Sequence, residues 1–188
     1  MEKRKIKIGK SMIIIAIGSN LESELFGSPL ENCLTGIELL KNYFFLSKIS
    51  KFYKTEPIPK SNQPWYVNAV VEIKTNLSPN DVIQKLFSIE NSFKRIRKKR
   101  NEPRVIDLDL LCYKNEIIKT NDLIIPHPRL HLRKFVVKPI CDINPLWNHP
   151  VFKIKAKYLL KNLANQKIIN INQFYGKSNN RRLYNINT

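Results

Sequence analysis

Two carboxylates stand one residue apart in Arg104-Val-Ile-Asp-Leu-Asp-Leu110, where Asp107 and Asp109 interrupt a β-branched and aliphatic run that follows a cluster of arginines. Side chains two residues apart in a strand point to the same face, so both acids project together from a surface that is otherwise apolar. Such a pair is expensive to bury unless a positive charge neutralises it. Mg2+ suits the task, because it takes one or two carboxylates together with substrate phosphate oxygens and water. The preceding Arg95, Arg97, Arg100 and Arg104 offer forked guanidinium contacts that match phosphate geometry. The pattern points to a site for magnesium and a nucleotide.

The elements that must position these groups are legible in the apolar spacing. Met12 to Ile17 reads as a buried strand closed by the turn Gly18-Ser19-Asn20, and Pro29 opens a helix with Leu30, Cys33, Leu34, Ile37 and Leu40 on one stripe. Ile49 to Thr55 reads as a strand, and the three prolines between Glu56 and Pro64 make that segment a long loop. Val67 to Lys74 is a third strand. Ser78, Pro79 and Asp81 open a second helix that runs through Ile83, Leu86, Ile89, Glu90 and Phe93 into the basic run Lys94 to Arg100. The strand of the two aspartates follows, Val105 to Cys112, then a short arm around Glu116 to Ile118 and an extended loop, Ile125-Pro-His-Pro-Arg129. Phe135 to Ile140 reads as a further strand, and Ile154, Tyr158, Leu159 and Leu163 form the apolar stripe of a closing amphipathic segment. The order strand, helix, strand, strand, helix, strand matches the ferredoxin-like plan, an α+β domain with an antiparallel sheet and helices packed on it. One domain is expected over residues 11–175, with a basic leader at 1–10 and a loose tail at 176–188.

Composition narrows the class. The balance of 33 basic and 15 acidic residues, +18 overall, by itself favours nucleic acid, an anionic membrane or an anionic small substrate. The chain also holds 25 Ile, 24 Lys and 21 Asn, a bias that an AT-rich coding genome produces, so the charge is read as a solvated, lysine-rich surface. Cys33, Cys112 and Cys141 are too few and too scattered for a disulfide framework or a paired-cysteine metal site, which suits a reducing cytoplasm. The basic N-terminus before Met12 resembles a signal peptide, but the apolar run is too short and Gly18-Ser19-Asn20 ends it without a cleavage pattern. No stretch approaches the roughly 20 apolar residues of a membrane span.

Five separated segments resemble the 6-hydroxymethyl-7,8-dihydropterin pyrophosphokinases of folate synthesis. They are Ile15 to Leu21, Ser50 to Pro57, Gln63 to Ala69, Pro103 to Leu111 and Ile125 to Val137, in the family's order and with compatible spacing. The resemblance implies transfer of pyrophosphate from ATP to the hydroxymethyl group of a reduced pterin, with release of AMP. It makes Asp107 and Asp109 the ligands of two Mg2+ ions and sets Arg95, Arg97, Arg104 and Arg133 around the reacting phosphates. His127 matches a histidine that contacts ATP. A zinc pair of His127 with His131 is unfavourable, because Pro126 and Pro128 prevent the helix that would align them. Tyr66 and Phe135 match the aromatics that sandwich the pterin, and Asn68 the amide that reads its polar edge. Backbone groups from Thr55 to Ile58 and the carboxylate of Glu90 complete that readout. Core packing is the competing role for Phe135, and solvation for Arg97 and Arg100.

One departure stands out. Where the family often has Arg-Trp-Gly-Pro-Arg, this chain has Arg100-Asn-Glu-Pro-Arg104, so a tryptophan that covers the bound pterin in many members is replaced by Asn101. A catalytically weakened member is therefore one alternative. A non-enzymatic RNA-binding module of ferredoxin-like plan is the other, but it lacks the aromatic strand motif such modules carry, and paired acids repel a phosphate backbone. The expectation is a monomeric cytoplasmic enzyme with small-molecule substrates, and with neither nucleic acid nor membrane as partner.

Overall fold

The computed structural model describes residues 11–93 and 102–172. Arg95, Arg97, Arg100 and Asn101, the leader and the tail from 176 lie outside them. The chain order is β1 (Met12–Ser19), α1 (Pro29–Leu40), β2 (Phe45–Ile49), β3 (Tyr53–Thr55), β4 (Tyr66–Lys74), α2 (Pro79–Ser92), β5 (Asp107–Lys114), β6 (Ile118–Lys119), β7 (Ile124–Ile125), α3 (Lys134–Ile143), α4 (Ala156–Lys161) and β8 (Ile168–Asn170). The main sheet runs β5-β1-β4-β3-β8, with β2 also paired to β4, and its pairings are antiparallel. The ferredoxin-like plan is present; β6 and β7 form a separate two-stranded arm.

Both helices read from their start signals are built on capping boxes. Ser28 caps α1 with Glu31, and Ser78 caps α2 with Asp81, each followed by proline in the first turn. Each box satisfies otherwise orphaned amides, worth about 1 kcal/mol per cap. The strand β1 reads as a continuous apolar run because both its faces are covered. Ile13, Ile15 and Ile17 face α1 and α2, whereas Met12, Ile14 and Ala16 face α3 and α4.

Three expectations are corrected. The span Ile49 to Thr55 is not one strand: β2 ends at Ile49 and β3 begins at Tyr53, with Ser50 between them, its amide donating to Val70 O and its hydroxyl accepting from Val70 N–H. Phe135 to Ile140 is helix, not strand. Two adjacent valines and Pro139 favour an extended reading, but Val136, Val137, Ile140 and Ile143 recur at helical spacing and their burial against the sheet outweighs that preference. In the closing segment Ile154 and Tyr158 are exposed, and Ala156, Leu159 and Leu163 carry the packing instead.

Candidate active site

A cleft of about 300 Å³ opens at one end of the sheet, on the face that α3 covers. The register explains what lines it. Gly18 lies opposite Asn68 on β4 and Asp107 on β5, and Ala16 lies opposite Asp109. Paired residues share a face, so the two acids and the amide project to the same side across the two smallest side chains of β1. An ideal Cβ on Gly18 falls 2.9 Å from Asn68 Oδ1, so the glycine makes room for the amide. The Asn68 amide is held in turn, its Nδ2 donating to Thr55 Oγ1 at 2.8 Å.

The cleft carries several cations, Arg104, Arg129 and Arg133. Arg104 Nη1 pairs with Asp107 Oδ2 at 2.8 Å, and Arg104 Nε donates to Glu102 O at 3.0 Å. Burial alone disfavours the Arg104 charge, but Asp107 beside it outweighs that and its pKa is raised. Arg133, just before α3, is lowered by burial and then by Arg129, with Asp109 and Asp107 acting in the opposite sense. Its guanidinium lies over the Phe135 ring, 5.4 Å from the centroid, so a cation of the cleft also braces one of its aromatics. The amino end of α3 adds its positive dipole at this edge.

His127 is fixed by its backbone amide, which donates to Leu111 O at 2.8 Å, and by its ring Nδ1, which accepts from Arg129 N–H at 3.1 Å. Burial pushes its pKa down to about 4, with Arg133 and Arg129 adding to the shift. The ring is therefore neutral near pH 7. With Nδ1 accepting, its proton sits on Nε2, which makes His127 a hydrogen-bond donor to an anion and not a cation.

The cleft thus gathers Thr55, Tyr66, Asn68, Arg104, Asp107, Asp109, His127, Arg133 and Phe135. Tyr66 is oriented by its hydroxyl, which donates to Gln63 Oε1 at 3.2 Å and to Glu102 O at 3.3 Å. Glu90 is not among the lining residues. It sits on α2 behind β5, 2% exposed, where its Oε1 accepts from Leu108 N–H at 2.8 Å, the amide between the two aspartates. That bond holds the strand that carries the two aspartates. Gly18 and Arg129 are lining residues to which the sequence reading gave no role. Gly18 ends an apolar run inside the segment Ile15 to Leu21, and Arg129 stands four residues before Arg133 in a segment already singled out.

Asp107 and Asp109 fit Mg2+: they are two hard oxygen donors on one face of a strand, opposite small residues. Among the described residues no three or more His, Cys, Asp and Glu side chains converge on a metal-sized site; an ion held by the two aspartates would take its other ligands from outside these side chains. Among the described residues no helix is long and apolar enough to cross a membrane.

Sequence comparison identifies relatives of the chain. A 2-amino-4-hydroxy-6-hydroxymethyldihydropteridine pyrophosphokinase of Haemophilus influenzae is 40% identical over 158 residues, 84% of this chain and 96% of that protein. A folic acid synthesis protein of Dictyostelium discoideum is 36% identical over 84% of this chain, which spans only 23% of that longer protein. In fold, the chain resembles a wild-type HPPK-DHPS chain from Plasmodium falciparum, with a TM-score of 0.63 at 13% identity, covering 81% of this chain and 44% of that one. Residues 14–145, which hold every lining residue of the cleft, match the description of one family throughout, and the chain belongs to it: the 7,8-dihydro-6-hydroxymethylpterin-pyrophosphokinases.

Proposed function

We infer that this cleft is where the chain carries out its family's reaction. The enzyme transfers pyrophosphate from ATP to the hydroxymethyl group of 6-hydroxymethyl-7,8-dihydropterin, a step of folate biosynthesis. The observation that carries the assignment of the site is that one cleft gathers two chemistries. Its lining holds the charged and imidazole groups of Asp107, Asp109, Arg104, Arg129, Arg133 and His127 together with the aromatic, amide and hydroxyl groups of Tyr66, Phe135, Asn68 and Thr55.

Asp107 and Asp109 are the proposed holders of two Mg2+ ions, which when bound neutralise phosphate charge and polarise the phosphorus under attack. The guanidiniums of Arg104, Arg129 and Arg133 orient phosphate oxygens by charge-assisted bonds, and neutral His127 adds a donor from Nε2. Tyr66 and Phe135 hold the flat pterin by stacking, while Asn68, its amide locked by Thr55, reads the ring's polar edge. The hydroxymethyl oxygen is thereby presented to the β-phosphorus, and positioning with charge stabilisation suffices for this class of transfer. Arg104 has a second part to play. It pairs with Asp107 Oδ2, an oxygen that Mg2+ would also take, so with the metal held by Asp107 the Arg104 guanidinium would be available to phosphate. Free thiols at Cys33, Cys112 and Cys141 support a cytoplasmic location.

The test is a partition of binding. Calorimetry with the pterin and separately with a non-hydrolysable ATP analogue should show Tyr66→Ala, Asn68→Ala and Phe135→Ala each weakening the pterin by about tenfold or more, the worth of one stacking face or hydrogen bond. Arg129→Ala and Arg133→Ala should weaken the analogue instead. Equal losses for both ligands in every variant would contradict the two-part cleft.

A further inference from the structure

Asn20 does not line the cleft, yet it joins the loops that do. It sits in the turn after β1, is 2% exposed, and bonds to two segments far away in sequence. Its Oδ1 accepts from Arg104 N–H at 2.7 Å, while its own N–H and that of Leu21 donate to Arg104 O at 3.0 and 3.2 Å. Its Nδ2 donates to Pro64 O at 3.1 Å and to Gln63 Oε1 at 3.4 Å.

We propose that Asn20 is a positioning residue that locks the two parts of the cleft to each other, Arg104 through its side-chain oxygen and the proline-rich loop through its side-chain nitrogen. The proposal rests on the pyrophosphokinase reading above. Arg104 continues to Asp107 at 2.8 Å, and Gln63 continues to the Tyr66 hydroxyl at 3.2 Å. One buried amide thus spans from the metal-side carboxylate to the pterin-side aromatic. The chemistry requires such a link. An attacking oxygen held by one loop and a phosphorus held by another react only when their separation is fixed, and misplacement by 1 Å costs about a hundredfold. Asparagine is the residue for the position because it is donor and acceptor at once, whereas ionised aspartate of the same shape only accepts.

That difference supplies the test. In Asn20→Asp the acceptor for Arg104 N–H survives and the donor to Pro64 O is gone; in Asn20→Ala both are lost. Amide hydrogen exchange on the free full-length chain should speed on the order of tenfold across residues 57–66 in both variants, the worth of one hydrogen bond. Across residues 103–106 it should speed in Asn20→Ala alone. Asn20→Asp should bind the pterin about tenfold more weakly while keeping most of its affinity for the ATP analogue. Asn20→Ala should also show a lower kcat with both substrates saturating. Equal exchange in both variants across the whole chain would mean general loosening and would overturn the proposal. So would a loss in Asn20→Asp confined to the anionic nucleotide, which marks the added charge and not the lost donor. The exchange pattern needs no turnover, so it decides the lock even if the wild-type chain fails to transfer pyrophosphate, and that failure would count against the functional reading alone.

Discussion

Replacing Gly18 by alanine should separate pterin recognition from stability. The added Cβ would fall 2.9 Å from Asn68 Oδ1, whereas a carbon and an oxygen in contact sit about 3.3–3.6 Å apart. Asn68 must therefore retreat by roughly 0.4 Å or more, away from the position fixed by its 2.8 Å bond to Thr55 Oγ1. If the displaced amide no longer meets the polar edge of the ring, the loss is one buried hydrogen bond, about 1–3 kcal/mol. That corresponds to roughly 5- to 150-fold weaker pterin binding. The fold should not suffer in proportion. Gly18 does not have a positive φ, so alanine fits the strand backbone, and removing glycine from a strand gains about 0.5–1 kcal/mol that offsets the local crowding. The expected signature is a melting temperature close to wild type, unchanged affinity for an ATP analogue and weakened pterin, measured by calorimetry on the same preparation. Pterin affinity within twofold of wild type would refute the claim that Gly18 exists to seat Asn68.

Two further outcomes follow from the charges in the cleft. Asp107→Asn and Asp109→Asn should each reduce turnover by at least about a hundredfold and shift the Mg2+ titration of activity to higher concentration, with an unchanged circular dichroism spectrum; normal magnesium dependence in both would contradict the ligand assignment. Stability should fall as pH drops from about 6.5 to 4, because His127 is held at about 4 by burial and the nearby arginines, and His149 likewise by burial and His131. In that window the unfolded chain binds protons that the folded chain refuses, so stability is full above the unfolded value and is lost on acidification. His127→Asn should reduce the slope of stability against pH there by about one proton, and a slope identical to wild type would show that His127 titrates normally.

The parts of the fold readable from sequence are those where local chemistry and tertiary packing agree. Ser28-Pro29 and Ser78-Pro79 each carry a complete helix start, and both helices begin there. The spacing of Asp107 and Asp109 survives because β5 is a strand paired in register with β1. The helix α3 was read wrongly because its decisive contacts lie outside its own sequence: Val136 and Val137 prefer strands in isolation, and their burial against Met12 and Ile14 of β1 is a property of the assembled sheet. Glu90 shows the same limit in the site. Burial of its carboxylate followed from its place on an apolar helix stripe, but which side of β5 it would reach did not, since that depends on which face α2 covers. Gly18 and Asn20 fall in a turn and in one family-like segment without a role of their own, because their importance comes from residues 43 to 84 positions away, separations that no local pattern reports.

The most direct measurement is the identity of the products. Purified chain incubated with Mg2+, ATP labelled at its β-phosphate and 6-hydroxymethyl-7,8-dihydropterin, and resolved by chromatography, should yield AMP and a doubly phosphorylated pterin in equal amounts, with the label on the pterin. ADP with a singly phosphorylated pterin would contradict attack at the β-phosphorus, and with it the pyrophosphokinase assignment of this cleft.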